Sequence, residues 1–180
     1  MAFLGLFGRK RYERAGFELY TSAVQAARDP YIFETLRAPD TLDGRFDVIG
    51  LYVFLMVNRL HAESETGKDL AQAVFDAMFS DMDINLREIG VSDMRVGKRM
   101  RAMWEAFNGR SAAYAAALTA GDMAALPEAV ARNVWRGQAP EGSAAALAAL
   151  MQDQAAHLRT QPIAALVAGK VNFRPARIAA

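Results

Sequence analysis

Residues 79–110 read FSDMDINLREIGVSDMRVGKRMRAMWEAFNGR, and four carboxylates there, Asp81, Asp83, Glu88 and Asp93, precede four cations, Arg95, Lys98, Arg99 and Arg101. Three chemistries fit such a run: a metal held by the carboxylates, a phosphate held around Gly97-Lys98, or a charged face read by another protein. The metal reading needs carboxylates that converge. On a helix, Asp81 and Asp83 lie about 200° apart around the axis and diverge. Asp81 and Glu88 share a face, with Asn85 near it. A di-iron bundle, however, needs a Glu-x-x-His from each of two helices. The two histidines, His61 and His157, have Asn58 and Gln154 three residues before them. The chain has no cysteine, which excludes thiolate zinc, iron–sulfur ligation, disulfides and a thiol nucleophile. No metal site and no cofactor are expected.

The phosphate reading fails on spacing. A P-loop needs four residues between its glycines and Ser or Thr after the lysine. Here six residues separate Gly90 from Gly97, and Arg99 follows Lys98. No G-x-S-x-G elbow is present, and two isolated histidines offer no triad. The reading is that the chain is not an enzyme.

The charged face remains. Arg95, Lys98 and Arg99 stand at i, i+3 and i+4 and cluster on one side of a helix. Such a run is ordinarily a solvated face. As a docking surface it suits an acidic or ribosomal partner, or anionic lipid headgroups. The candidate contact residues are Arg95, Lys98, Arg99 and Arg101, with Asp81, Glu88 and Asp93.

These groups must be positioned by helices, because most of the chain repeats with helical period. Its 180 residues suit one domain, 53% are hydrophobic, and the net charge of +1 gives no footprint for nucleic acid. Phe17, Tyr20, Val24 and Ala27 form one stripe that ends at Asp29-Pro30. A helix over about 45–61 is apolar on almost every side and marks the centre of the domain. Its run VIGLYVFLMV is far short of the ~20 residues that cross a bilayer. From 69 to 89 a stripe carries Val74, Phe75, Met78, Phe79, Met82, Leu86 and Ile89. Gly90 then supplies the left-handed residue and Ser92 the cap of the next helix. That helix carries Val96, Met100, Met103, Trp104, Phe107, Tyr114 and Leu118. Five of the nine methionines lie in these two helices, as gap fillers or as an adaptable binding surface.

The last third is alanine-rich, with short helices. The ends, 1–9 and 172–180, are expected to be loose, the latter as an extended tail. In MAFLGLFGRKRYERAG the charges follow the apolar run, unlike a secretory signal. A second reading gives Phe3, Leu4, Leu6 and Phe7, with Arg9, Lys10 and Arg11, a membrane-surface contact. The fold class is all-α: a single-domain helical bundle of about seven to eight helices.

Between the first two helices, RAPDTLDGR is a connector. Asp43-Gly44 permits a tight backbone, and Asp40 or Thr41 satisfies the amides that open the central helix. Arg45 is expected to pair with Asp47 or with a neighbouring helix.

The stretches PDTLDGRFDVIGLYVFLMVNRL (39–60) and DMDINLREIGVSDMRVGKRMRAMWEAFNGRSAAY (81–114), with the closing GKVNF, resemble the ubiquinol–cytochrome c chaperone family. The resemblance covers about 10–175. Two positions depart from it: Tyr52 stands where a histidine is expected, and Asn108 where an aromatic residue is usual. Asp40, Thr41, Gly44, Arg45, Phe46, Gly90, Gly109 and Arg110 fall in the motif as structural residues. The resemblance implies an assembly chaperone whose client is newly synthesised cytochrome b of ubiquinol–cytochrome c reductase. It also implies the ribosome or the inner-membrane surface of a bacterium as further contacts, a cytoplasmic or peripheral location, no small-molecule substrate, and no nucleic acid bound on its own. A helical lipid or quinone carrier is the alternative, resting on the density of Phe and Met. A carboxylate-bridged metalloenzyme is a third. A packed interior with an exposed apolar groove favours the chaperone, and an enclosed tunnel favours the carrier.

Overall fold

A helix that is apolar all round has to be covered on all sides, and α2 (Leu42–His61) is treated that way: Val48, Leu51, Tyr52, Val53 and Met56 are fully buried. The computed structural model describes residues 4–63, 65–119 and 124–176, with side chains from Tyr12 onward. Around α2 pack α1 (Leu4–Ala27), α3 (Glu65–Glu88), α4 (Asp93–Thr119), α5 (Ala125–Val134) and α6 (Ser143–Thr160), and the short α7 (Ile163–Val167) rests on α1 and α3. A π-helical segment, Tyr31–Thr35, links α1 to α2, and no strand occurs among the described residues. The expected all-α bundle is the observed fold. Leu4–Arg9, expected to be loose, lie within the bounds of α1; residues 1–3 are outside the described chain.

The α1–α3 contact is made almost backbone to backbone. A Cβ added at Gly16 would sit 2.6 Å from the carbonyl carbon of Ala73. Gly67 meets the Leu60 carbonyl in the same manner at the α2–α3 turn. Neither glycine was singled out by periodicity, since nothing local demands it. Replacing Gly16 with valine forces α1 off α3, an overpacking change expected to cost about 3 kcal/mol. In thermal denaturation that is a fall of roughly 6–12 °C for a chain of this size. Gly97→Ala is the control: its Cβ meets nothing within 4 Å, so alanine should be neutral or slightly stabilising.

The far end of α2 is tied to α6 by a buried arginine. Arg59 Nε donates to the Leu158 carbonyl at 3.0 Å and Nη2 to the Gln161 carbonyl at 3.1 Å, and Nη1 pairs with Glu63. These carbonyls end α6, where the i→i+4 ladder runs out (Leu158 is met only by the Gln161 amide at 3.2 Å) and a cation is favoured.

The expected extended tail is observed over 172–176, and side chains hold it in place. The extended chain there is gripped by side chains that mimic a neighbouring strand. Gln161 receives the Asn172 amide at 2.9 Å and donates to its carbonyl at 2.7 Å. Gln154, itself buried, does the same with Arg174 at 3.1 and 2.7 Å. Asp29 accepts from the Ala176 amide at 3.0 Å, and Phe173 sets its ring edge-on to Tyr52, centroids 5.3 Å apart. Residues 177–180 lie outside the described chain.

Candidate functional site

α3 and α4 are positioned by their apolar stripes, yet those stripes are incompletely covered. Over its 27 residues α4 buries only Val96, Phe107, Tyr114 and Ala117. Trp104 remains 49% exposed, Met94 is almost fully exposed, and Ile84 and Ile89 at the end of α3 are more than half exposed. The expected stripe is real as a face, but only part of it is core. What is left over is a groove on each flank of α4.

One groove, about 310 Å³, lies between the start of α2, the end of α3 and α4. Phe46, Met82, Leu86 and Met103 form its apolar walls, with Arg99 at one end and Arg110 and Arg136 at the other. The second, about 400 Å³, lies on the opposite flank. Phe54, Phe75 and Phe107 floor it, Trp104 stands at its edge, and Asn58 and Asn108 add amides. Both open to solvent. Phe75 packs on Phe79 and Phe107, and Phe54 on Tyr114, so the floor of the second groove is backed by aromatic contacts.

The first groove has a charged foundation. Asp47 is 2% exposed and bridges Arg110 of α4 and Arg136 just after α5, the latter at 2.7 Å. Burial pushes the Asp47 carboxyl above its usual range, and the two guanidiniums pull against that push. Arg136 reaches it from a left-handed backbone conformation, φ 55°, next to Trp135, whose indole donates to the Arg37 carbonyl at 2.8 Å. Burial likewise raises the Tyr114 hydroxyl to about 12. The sequence signal for this network was Asp47, a carboxylate at the head of the apolar run of α2, where burial demands a counter-charge. Arg136 carried no local signal.

The candidate residues are distributed as follows. Arg95, Lys98 and Arg99 are exposed, and only Arg99 lines a groove. Arg101 is engaged by Glu105 at 3.0 Å. Asp81 is turned inward and accepts from the Tyr20 hydroxyl at 2.6 Å, which joins α3 to α1; burial and this bond raise the tyrosine's pKa. Arg87 pairs with Asp83 at 2.7 Å and with Asp93, spanning the α3–α4 joint. Glu88 is exposed at the end of α3. The structure therefore does not bring Asp81, Glu88 and Asp93 together with the cations as one patch. No group of three potential metal ligands converges among the described residues.

In the connector, Thr41 caps α2 by accepting from the Gly44 amide at 3.1 Å. Gly44 is needed because a Cβ would strike the Pro39 carbonyl. Arg45 pairs with Asp40, not with Asp47 or another helix, and holds that exposed carboxyl below its usual range. The reason is facing: Asp47 points inward and Arg45 outward. Phe46 is buried against the first groove. Gly90 takes the left-handed conformation, φ 83°, between α3 and α4. Gly109 is exposed, and nothing nearby excludes a larger residue. Tyr52 is fully buried beneath Phe173, while Asn108 is exposed at the second groove. No helix among the described residues is long and apolar enough to cross a membrane.

Comparison with known proteins gives this geometry its relatives. The crystal structure of the Cbp3 homolog from Brucella abortus superposes with a TM-score of 0.83 at 35% identity, covering 96% of this chain and 97% of that one. The ubiquinol-cytochrome-c reductase complex assembly factor 1 of Xenopus laevis is 27% identical over 109 residues, 58% of this chain and 54% of the relative. The Mus musculus assembly factor 1 is 27% identical over 109 residues, 58% of this chain and 37% of its own length. The chain thus spans about half or less of the curated relatives it matches. The sequence profile described as Ubiquinol-cytochrome C chaperone matches residues 34–173, the span from the π-helical segment to the Phe173 contact, and the chain belongs to that family.

Proposed function

We propose that this protein is an assembly chaperone that binds newly synthesised cytochrome b and assists biogenesis of ubiquinol–cytochrome c reductase. On this reading it works at the cytoplasmic side of a bacterial inner membrane, by contact and without catalysis. The single observation that carries the reading beyond family membership is the uncovered apolar surface along α4. Two open grooves flank a helix that keeps Trp104 half exposed and Met94 almost wholly so. Uncovered apolar surface of this kind marks a site for another apolar partner. The same feature weighs against the lipid or quinone carrier, which needs an enclosed chamber. The exposed Arg95, Lys98 and Arg99 add a cationic flank suited to steering an acidic partner or to an anionic membrane surface.

The test is affinity recovery of the tagged chain from its native cells during active synthesis of cytochrome b. Cytochrome b is expected in the recovered material, and its accumulation is expected to fall when the chain is deleted. Normal accumulation in the deletion strain, with none recovered on the tagged chain, rejects the proposal.

A further inference from the structure

We propose that the groove on the Arg99 flank of α4 is the seat of the client, and that its occupant is an apolar helical segment bearing a carboxylate about one turn from its apolar face. This rests on the assembly-chaperone reading above and adds the surface and the chemistry of what it holds.

Three observations converge there. The walls are apolar, from Phe46, Met82 and Leu86 to Met103, and the lip carries Leu42 and Ile89, 53% and 56% exposed. Apolar side chains therefore occur both in the walls and at the solvent-facing lip, with Asn85 and Asp43 among them. Next, the side of α4 that faces the groove presents Ala102 and Ala106 between Arg99 and Arg110. Methyl-sized side chains leave the room that a packed helix needs, since helix axes approach to about 8–10 Å. Finally, the charge is one-sided. Asp47 already answers both Arg110 and Arg136, so one buried carboxylate meets two guanidiniums. Arg99 at the rim adds a third cation, against Asp43 alone. An incoming carboxylate completes this arrangement in a site that its own apolar neighbours dry out, where charge-assisted hydrogen bonds are strongest. The opposite groove is lined by amides and His61 and contains no arginine or lysine, so it offers no equivalent complement.

Filling each groove in turn separates them. Ala102 and Gln72 are both exposed, so A102W occupies the Arg99-side groove and Q72W the other without entering the core. Ile89→Asp at the lip is a second variant that adds no bulk. Cytochrome b recovered on each tagged variant is measured against wild type, with thermal melts as the folding control. A102W and I89D are expected to recover at least tenfold less, and Q72W within twofold of wild type. Wild-type recovery by A102W and I89D overturns the seat, as does an equal loss with Q72W. A change of oligomeric state in A102W with cytochrome b recovery intact assigns the groove to a second copy and overturns it. Loss of binding to anionic phospholipid vesicles, again with recovery intact, assigns it to lipid and overturns it too. If wild type itself recovers none, the assembly-chaperone reading fails and takes this seat with it.

Discussion

Reversing Arg95, Lys98 and Arg99 together to glutamate is expected to abolish recovery of cytochrome b, a loss of at least tenfold, while the helical fold and its melting temperature stay near wild type. The fold should survive because all three side chains are exposed and none packs into the core. Association should not survive. The triple change moves the local charge by six units, and like charges across an interface cost several kcal/mol. A tenfold loss corresponds to about 1.4 kcal/mol, well inside that range. Part of the wild-type association is expected to weaken as salt rises, since the Debye length shrinks from about 8 Å at physiological strength to about 3 Å at 1 M. Arg101→Glu alone should do far less, because Arg101 is already committed to Glu105 on its own helix. The measurement is affinity recovery at two salt concentrations beside circular dichroism. Recovery unchanged by the triple reversal removes the cationic flank from the docking surface.

The largest effect on stability is expected at Arg59. Its guanidinium holds the Leu158 and Gln161 carbonyls and the Glu63 carboxylate, and the residue is only 9% exposed. Arg59→Ala takes the guanidinium from two carbonyls at the end of α6; Leu158 keeps only the Gln161 amide at 3.2 Å, and the Gln161 carbonyl loses its Arg59 donor. It also leaves Glu63, a third exposed, without its cation, and it empties the space that the arginine stem filled. Hydrogen bonds to a charged group are worth about 1.5–3 kcal/mol each, and partial solvation of the freed groups recovers some of the loss. The expected cost is about 3 kcal/mol, read in thermal denaturation as a fall of roughly 6–12 °C. Arg59→Lys should recover only part, since a lysine is a point donor and cannot fork to two carbonyls. A melt of Arg59→Ala within 2 °C of wild type would show that water replaces the guanidinium at no cost. The groove on the Arg99 flank lies away from this tie, so the folded fraction should still recover cytochrome b.

Taken element by element, the helices were legible because their causes are local. The apolar run of α2 had to be the centre, since nothing but full burial suits a helix with no polar side. Thr41 capping the Gly44 amide and Gly90 in the left-handed region follow from side-chain reach and from the absence of a Cβ. The stripes of α3 and α4 followed from a 3.6-residue repeat. Periodicity says which residues share a face. It does not say whether a neighbour covers that face, which is why Trp104 and Ile89 could be placed on a stripe but not recognised as its uncovered part.

What only the tertiary structure decided is long-range and directional. Asp47 chose Arg110 and Arg136 over the nearby Arg45, because a helix turns consecutive side chains to different sides. Asp81 was drawn inward to Tyr20, which removed it from the acidic patch that its place in the sequence suggested. Gln154 and Gln161 captured a tail with no helical period of its own, and Gly16 proved necessary only where α3 came to lie against it. By itself the sequence determined an all-helical chain, its central helix, its caps and its lack of cysteine. Which faces stayed open, and which charges stayed unspent beside them, depended on how the helices packed against one another, because pairing and coverage are properties of neighbours far apart along the chain.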